Sequence, residues 1–144
     1  MTVDSCHAGC WTGESWQSIC DVKMMRESII GTKSFDFAIR RVRLYKYLTD
    51  EKREYVLSKQ LLRSGTSIGA NARESKNAQS RKDFLNKLNI ALKEADETEY
   101  WLELLYKTEY LTDEEYRSIN EDNRELIKIL ITIIKRLKED TDGQ

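Results

Sequence analysis

The sequence predicts an all-α protein, folded as an antiparallel up-down-up-down four-helix bundle. Three observations carry that expectation. The 144 residues contain Pro 0 and Gly 6, too few breakers for a strand-and-turn architecture. Charged residues reach 34%, as long solvated helices require. From Ser34 onward the apolar residues recur in steps of three and four, the period of an amphipathic helix.

The first helix is expected over 33–48. Phe35, Ala38, Val42 and Tyr45 form its seam, widened by Phe37, Ile39, Leu44 and Leu48. Thr49-Asp50-Glu51 then supplies a cap and acidic first-turn charges for a second helix over 51–76. The core face of this helix reads Val56, Leu57, Leu61, Ser64, Ile68 and Asn71 or Ala72. Gly65 and Gly69 lie inside it, where each costs roughly 1 kcal/mol relative to alanine, so a close approach of another chain segment is expected to offset them. Ser80-Arg81-Lys82-Asp83 caps a third helix over 80–108 with Phe84, Leu88, Ala91, Ala95, Thr98, Leu102 and Leu105 inward. Thr112-Asp113-Glu114-Glu115 is a full capping box for a fourth over 113–138, whose inward face runs from Tyr116 through Asn123 and Leu130 to Leu137. Tyr47-Leu48-Thr49-Asp50-Glu51 recurs as Tyr110-Leu111-Thr112-Asp113-Glu114, which reads as two hairpins built alike. Short turns force successive helices antiparallel.

Residues 1–24 differ in composition and are expected to be a leader outside the bundle domain of 25–139, with 140–144 as a tail. The leader holds Cys6, His7, Cys10, Cys20, Trp11 and Trp16 with no helical period. A zinc site is the competing interpretation, but Cys20 stands alone where structural sites pair their ligands, so a disordered or non-native leader that folding does not need is the stronger one.

The chemistry expected of such a chain is limited. After His7 there is no histidine, so Glu94-x-x-Glu97 cannot be completed into a di-iron ligand set. The bundle has no cysteine or histidine nucleophile or base, and Arg63–Gly69 lacks the lysine and preceding strand of a phosphate loop. Neither an enzyme, a cofactor, a metal nor a small-molecule substrate is expected. No run reaches the ~18 apolar residues of a membrane span, and no signal peptide opens the chain, which points to the cytoplasm. Lys+Arg 24 against Asp+Glu 25 gives no global field toward nucleic acid. Local patches do exist: Arg40, Arg41, Arg43 and Lys46 on the first helix, and Arg73, Lys76, Arg81 and Lys82 around the turn between the second and third. These are the candidate phosphate contacts.

The ordered motifs Ser58-Lys59-Gln60-Leu61-Leu62-Arg63-Ser64-Gly65-Thr66-Ser67-Ile68-Gly69-Ala70-Asn71 with Glu74, then Lys82-Asp83-Phe84, Leu88-Asn89-Ile90-Ala91, Glu94-Ala95, Glu97-Thr98 and Tyr100-Trp101-Leu102, resemble the bacterial 23S rRNA intervening sequence proteins. The resemblance covers about residues 25–137. It implies a four-helix bundle that assembles into a homo-oligomer, often a pentameric ring, and in some relatives an accessory role beside nucleic acid. It also implies polar contacts at Arg63, Ser67, Asn71, Glu74, Glu94 and Glu97, with Arg63 expected to pair with Glu94 or Glu97 between the second and third helices. Tyr100 and Trp101 flank the third seam and are candidates for a subunit contact. A homo-oligomeric interaction or scaffold protein is the leading expectation, and an RNA-binding accessory protein the alternative.

Overall fold

The structure, a computed structural model, describes residues 14–143, with side chains described from Ile29 onward. Four helices follow one another: α1 (Glu14–Asp50), α2 (Leu57–Ser75), α3 (Arg81–Lys107) and α4 (Asp113–Asp142). No strand occurs among the described residues. Each helix touches two neighbours in a closed ring, α1 to α2 to α3 to α4 and back to α1. The pairings run antiparallel throughout. Ser64 faces Thr98 while Glu74 faces Lys87, and Lys33 meets Glu125 while Arg40 meets Asp122.

The expected starts of α3 and α4 hold to the residue at their caps. Ser80 Oγ accepts from the Asp83 N–H at 3.0 Å, and Thr112 Oγ1 accepts from the Glu115 N–H at 3.2 Å, each satisfying a free donor of a first helical turn. All seven inward residues expected on α3, Phe84 to Leu105, are buried. α4 continues through Asp142, beyond the tail boundary expected at 140.

The first hairpin departs from expectation at both ends. α1 begins at Glu14 and not near 33, so its backbone runs across the boundary drawn at 24. Cys6, His7 and Cys10, on which the zinc interpretation rested, lie outside the described residues, as do the side chains of Trp16 and Cys20. Thr49 does not cap α2. It lies in the last turn of α1, where its hydroxyl donates to the Tyr45 carbonyl at 2.9 Å, because burial of Leu48 carries the helix onward. α2 starts at Leu57 and not at 51, and its free N–H groups are taken by Glu54: Oε1 accepts from Val56 and Leu57 at 3.0 and 2.8 Å, Oε2 from Ser58 at 2.6 Å. Val56, expected in the core, is 72% exposed. The repeated pentapeptide therefore ends one helix and begins another, and the two hairpins are not alike. α3 stops without glycine: Glu109 adopts φ 68, and the N–H groups of Tyr110 and Glu109 bond the carbonyls of Leu105 and Tyr106, a Schellman closure.

The α1 seam is also shifted. Ile30, Ser34, Phe37, Arg41, Leu44 and Leu48 face inward in alternating steps of four and three. Phe35, Ile39 and Val42, expected inside, are exposed, and Ala38 and Tyr45 are half-buried. The interior falls into two apolar clusters. One gathers Phe37, Ile68, Ala95 and Leu126, the other Leu44, Leu61, Leu102 and Ile119. Between them every helix contributes buried polar residues: Arg41, Ser64, Thr98, and Asn120 with Asn123.

Candidate interaction surfaces and a buried polar layer

Phe35, Ala38, Val42 and Tyr45 keep the three-four spacing of a helix seam off the buried face, with Phe35 and Val42 exposed and Ala38 and Tyr45 half-buried, so α1 carries two apolar stripes. Phe35 is 52% and Val42 41% exposed. Beside them, between α1 and α2, runs an open groove of about 660 Å³ floored by Gly31, Ala38, Gly69 and Ala70. Arg73 borders it, its guanidinium 5.5 Å from the Phe35 ring centroid, a cation–π distance. Small residues create the groove. A Cβ at Gly69 would sit 3.3 Å from the Ser34 carbonyl oxygen, so the close approach expected at a helix glycine is made by the α1 backbone.

The basic residues expected on α1 do not act together. Arg40 bonds Asp122 and the Ser118 hydroxyl of α4, Arg41 turns inward, and only Arg43 and Lys46 project into solvent. Arg41 is thereby removed from the candidate phosphate contacts, since the α1 face it occupies is the inner seam. Around the α2–α3 turn, Arg81 bonds the Leu137 carbonyl at the end of the α4 core, while Arg73, Lys76 and Lys82 are exposed.

The polar residues carried over from the motif form one ladder along α2 and α3. Arg63 pairs with Glu97 and lies 3.5 Å from Glu94, so the expected pairing is present, but on the outside of the bundle: the Arg63 side chain is 50% exposed. Trp101 Nε1 also donates to Glu97, at 3.0 Å. That indole N–H and then Arg63 hold the Glu97 carboxyl below its ordinary range. Ser67 and Asn71 donate to backbone carbonyls within α2, of Arg63 and Ser67, and Glu74 pairs with Lys87 on α3. Of the two aromatic residues, Tyr100 is 58% exposed and meets Trp101 edge to face at 5.0 Å.

The polar layer is the feature that sequence reasoning missed. Arg41 is 1% exposed, and Nε, Nη1 and Nη2 find no hydrogen-bond acceptor among the described residues. Its stem lies against Gly65, where an added Cβ would come 2.5 Å from Cγ and 2.8 Å from Cδ. Its head lies over the Phe37 ring, 4.3 Å from the centroid. Burial, and then the neighbouring Arg40 charge, push the Arg41 pKa down to about 9 against the opposing pull of Asp122. Across the layer the Thr98 and Ser64 hydroxyls meet at 3.0 Å, and Asn123 Nδ2 donates to the Ala95 carbonyl at 2.9 Å, leaving Oδ1 without a donor. A sequence signal for this existed: Arg41 stands in step with Phe37, Leu44 and Leu48, and Gly65 marks where a long side chain must pass.

The fold and these surfaces can be set beside known proteins. A family model for the 23S rRNA-intervening sequence protein matches residues 26–132. The chain belongs to that family. The match contains every motif of the resemblance, from Ser58 through Leu102. Among solved structures, a protein of unknown function from the S23 ribosomal protein family of Bacteroides thetaiotaomicron is 64% identical, with a TM-score of 0.76; the alignment covers 76% of this chain and 98% of that one. The comparison with curated proteins finds no match. Among the described residues of this intervening-sequence family member, no group of three or more potential metal ligands occurs, and no helix is long and apolar enough to cross a membrane.

Proposed function

We propose that this intervening-sequence family member is a non-enzymatic, cytoplasmic, homo-oligomeric interaction protein whose subunits join through the outward seam of α1. The observation that carries this is a three-four apolar stripe, Phe35, Ala38, Val42 and Tyr45, that the bundle covers only in part, leaving Phe35 and Val42 exposed. A helix apolar on two faces needs two partners, and the bundle supplies one. The adjoining groove, with its glycine and alanine floor, suits close packing of another helix. Tyr100 offers a second exposed aromatic contact on α3. A five-membered ring is the arrangement the family resemblance favours.

Size-exclusion chromatography with light scattering tests the proposal. The full chain is expected to run as a small multiple of its own mass, and Phe35→Glu with Val42→Glu is expected to give a monomer with unchanged helix content by circular dichroism. A wild-type chain that stays monomeric at the highest attainable concentration overturns it. The second reading, an RNA-binding accessory role, draws on the exposed cations Arg43, Lys46, Arg73, Lys76 and Lys82, with Arg40 and Arg81 already engaged elsewhere on the chain. Retention of RNA that weakens steeply with salt supports that role, and no retention at low salt removes it.

A further inference from the structure

The buried Arg41 head poses a problem of charge that no group among the described residues solves. Guanidinium carries five N–H donors in one plane and stays protonated in proteins. The Phe37 ring covers a face of that plane, which leaves the N–H edge unanswered. Asp122, whose carboxylate favours the charged form of Arg41, is already bonded to Arg40. Asn123 Oδ1 on α4 is likewise buried without a donor, the amide nitrogen being bonded to the Ala95 carbonyl. Even if that oxygen accepts one N–H, it is neutral and leaves the charge and the other donors as they were. A cation stripped of water must be paired.

We propose that the centre of the bundle is a binding site for one small monovalent anion, of which chloride is the abundant example, held by the in-plane N–H groups of Arg41. A single cation calls for a single negative charge. Size is limited by close packing, since Ile68, Ala95 and Leu126 fill the layer on one side and Leu44 and Leu102 the layer on the other. An acceptor without donors of its own suits a guanidinium edge, which offers only donors. The anion reaches the site along the α1–α4 seam, the thinnest contact of the ring. There Arg40 with Asp122 and Lys33 with Glu125 bridge the surface as half-exposed ion pairs that open more readily than packed side chains.

Two measurements on the full chain test this. Crystals soaked in sodium bromide are expected to show an anomalous peak in contact with the Arg41 guanidinium. Thermal unfolding in sodium chloride, with sodium gluconate holding the ionic strength constant, is expected to show Tm rising by about 3–6 °C for each tenfold increase in chloride above the dissociation constant. Arg41→Met is expected to abolish the rise. An ordered water with no halide at the guanidinium, bromide confined to the surface, or an equal chloride response in Arg41→Met overturns the proposal. Should Arg41→Met fail to fold, the bromide map of the wild-type chain decides alone.

Discussion

The two faces of α1 make an instructive pair. The outward seam is Phe35, Ala38, Val42 and Tyr45; the inward one includes Ser34 and Arg41 among Ile30, Phe37, Leu44 and Leu48. From the sequence the outward residues are expected in the core together with Phe37, Ile39, Leu44 and Leu48, whereas Ser34 and Arg41 are not. Shape decides otherwise. α2 presents Gly65 and Gly69 to α1, and their missing side chains admit the Arg41 stem and the Ser34 backbone. The partner surface thus selects the face whose contour fits, and polarity is tolerated where it has somewhere to go.

The largest expected effect separates the faces directly. Phe37→Ala should cost about 3–5 kcal/mol in chemical denaturation, because it empties a buried site under the Arg41 head, whereas Phe35→Ala should change monomer stability by less than about 0.5 kcal/mol. Similar losses at both positions would mean that both faces are covered in solution, and a Phe35→Ala loss that grows with protein concentration would identify self-association as the cover. Next comes the fit itself. Gly65→Ala gains helix propensity yet should destabilise by about 1–3 kcal/mol, since its Cβ collides with the Arg41 stem and not with a movable tip. The same change made in an Arg41→Ala background, which removes the Cγ and Cδ that the new Cβ would strike, should cost less, and equal costs in a double-mutant cycle would dissociate the glycine from the arginine. Smallest is a control lying on neither face. Glu54→Ala should cost about 1–2 kcal/mol by freeing the N–H groups at the start of α2. Burial raises the Glu54 pKa, but the N–H groups of Leu57, Ser58 and Val56 outweigh it and leave the carboxyl below its ordinary range. Its contribution is therefore complete above the ordinary glutamate pKa and fades as the pH falls through that value and then through the lower folded one. Urea midpoints taken downward from about pH 6 should show a shallower decline in Glu54→Gln than in wild type.

Legibility followed how local the determining physics was. α3 and α4 were readable because a cap, a period and a single covered face coincide: Ser80 and Thr112 set the starts, and Leu88, Ala91, Leu102 and Leu130 are all fully buried. The end of α1 was not, because Thr49 can serve a helix as cap or as interior residue, and the choice depends on burial of Leu48 against distant helices. The carboxylate of Glu54 escaped notice because it reaches N–H groups two to four residues on, outside the usual spacing of a capping box. The Arg63 pairing was foreseen from the motif, though its exposure was not. Arg41 was assigned to the surface by residue type, and only the glycine on the neighbouring helix reverses that assignment.

The position of Glu54 bears on what can dock against the first hairpin. The amino end of a helix attracts phosphate because its backbone donors and its dipole are free to greet one. Here the chain answers α2 with its own negative group, tucked in at 7% exposure, before any polyanion arrives. The helix terminus itself is self-quenched, so what that end of the molecule shows to solvent is side chains alone: Tyr55 and Val56 among Lys52, Arg53 and Lys59.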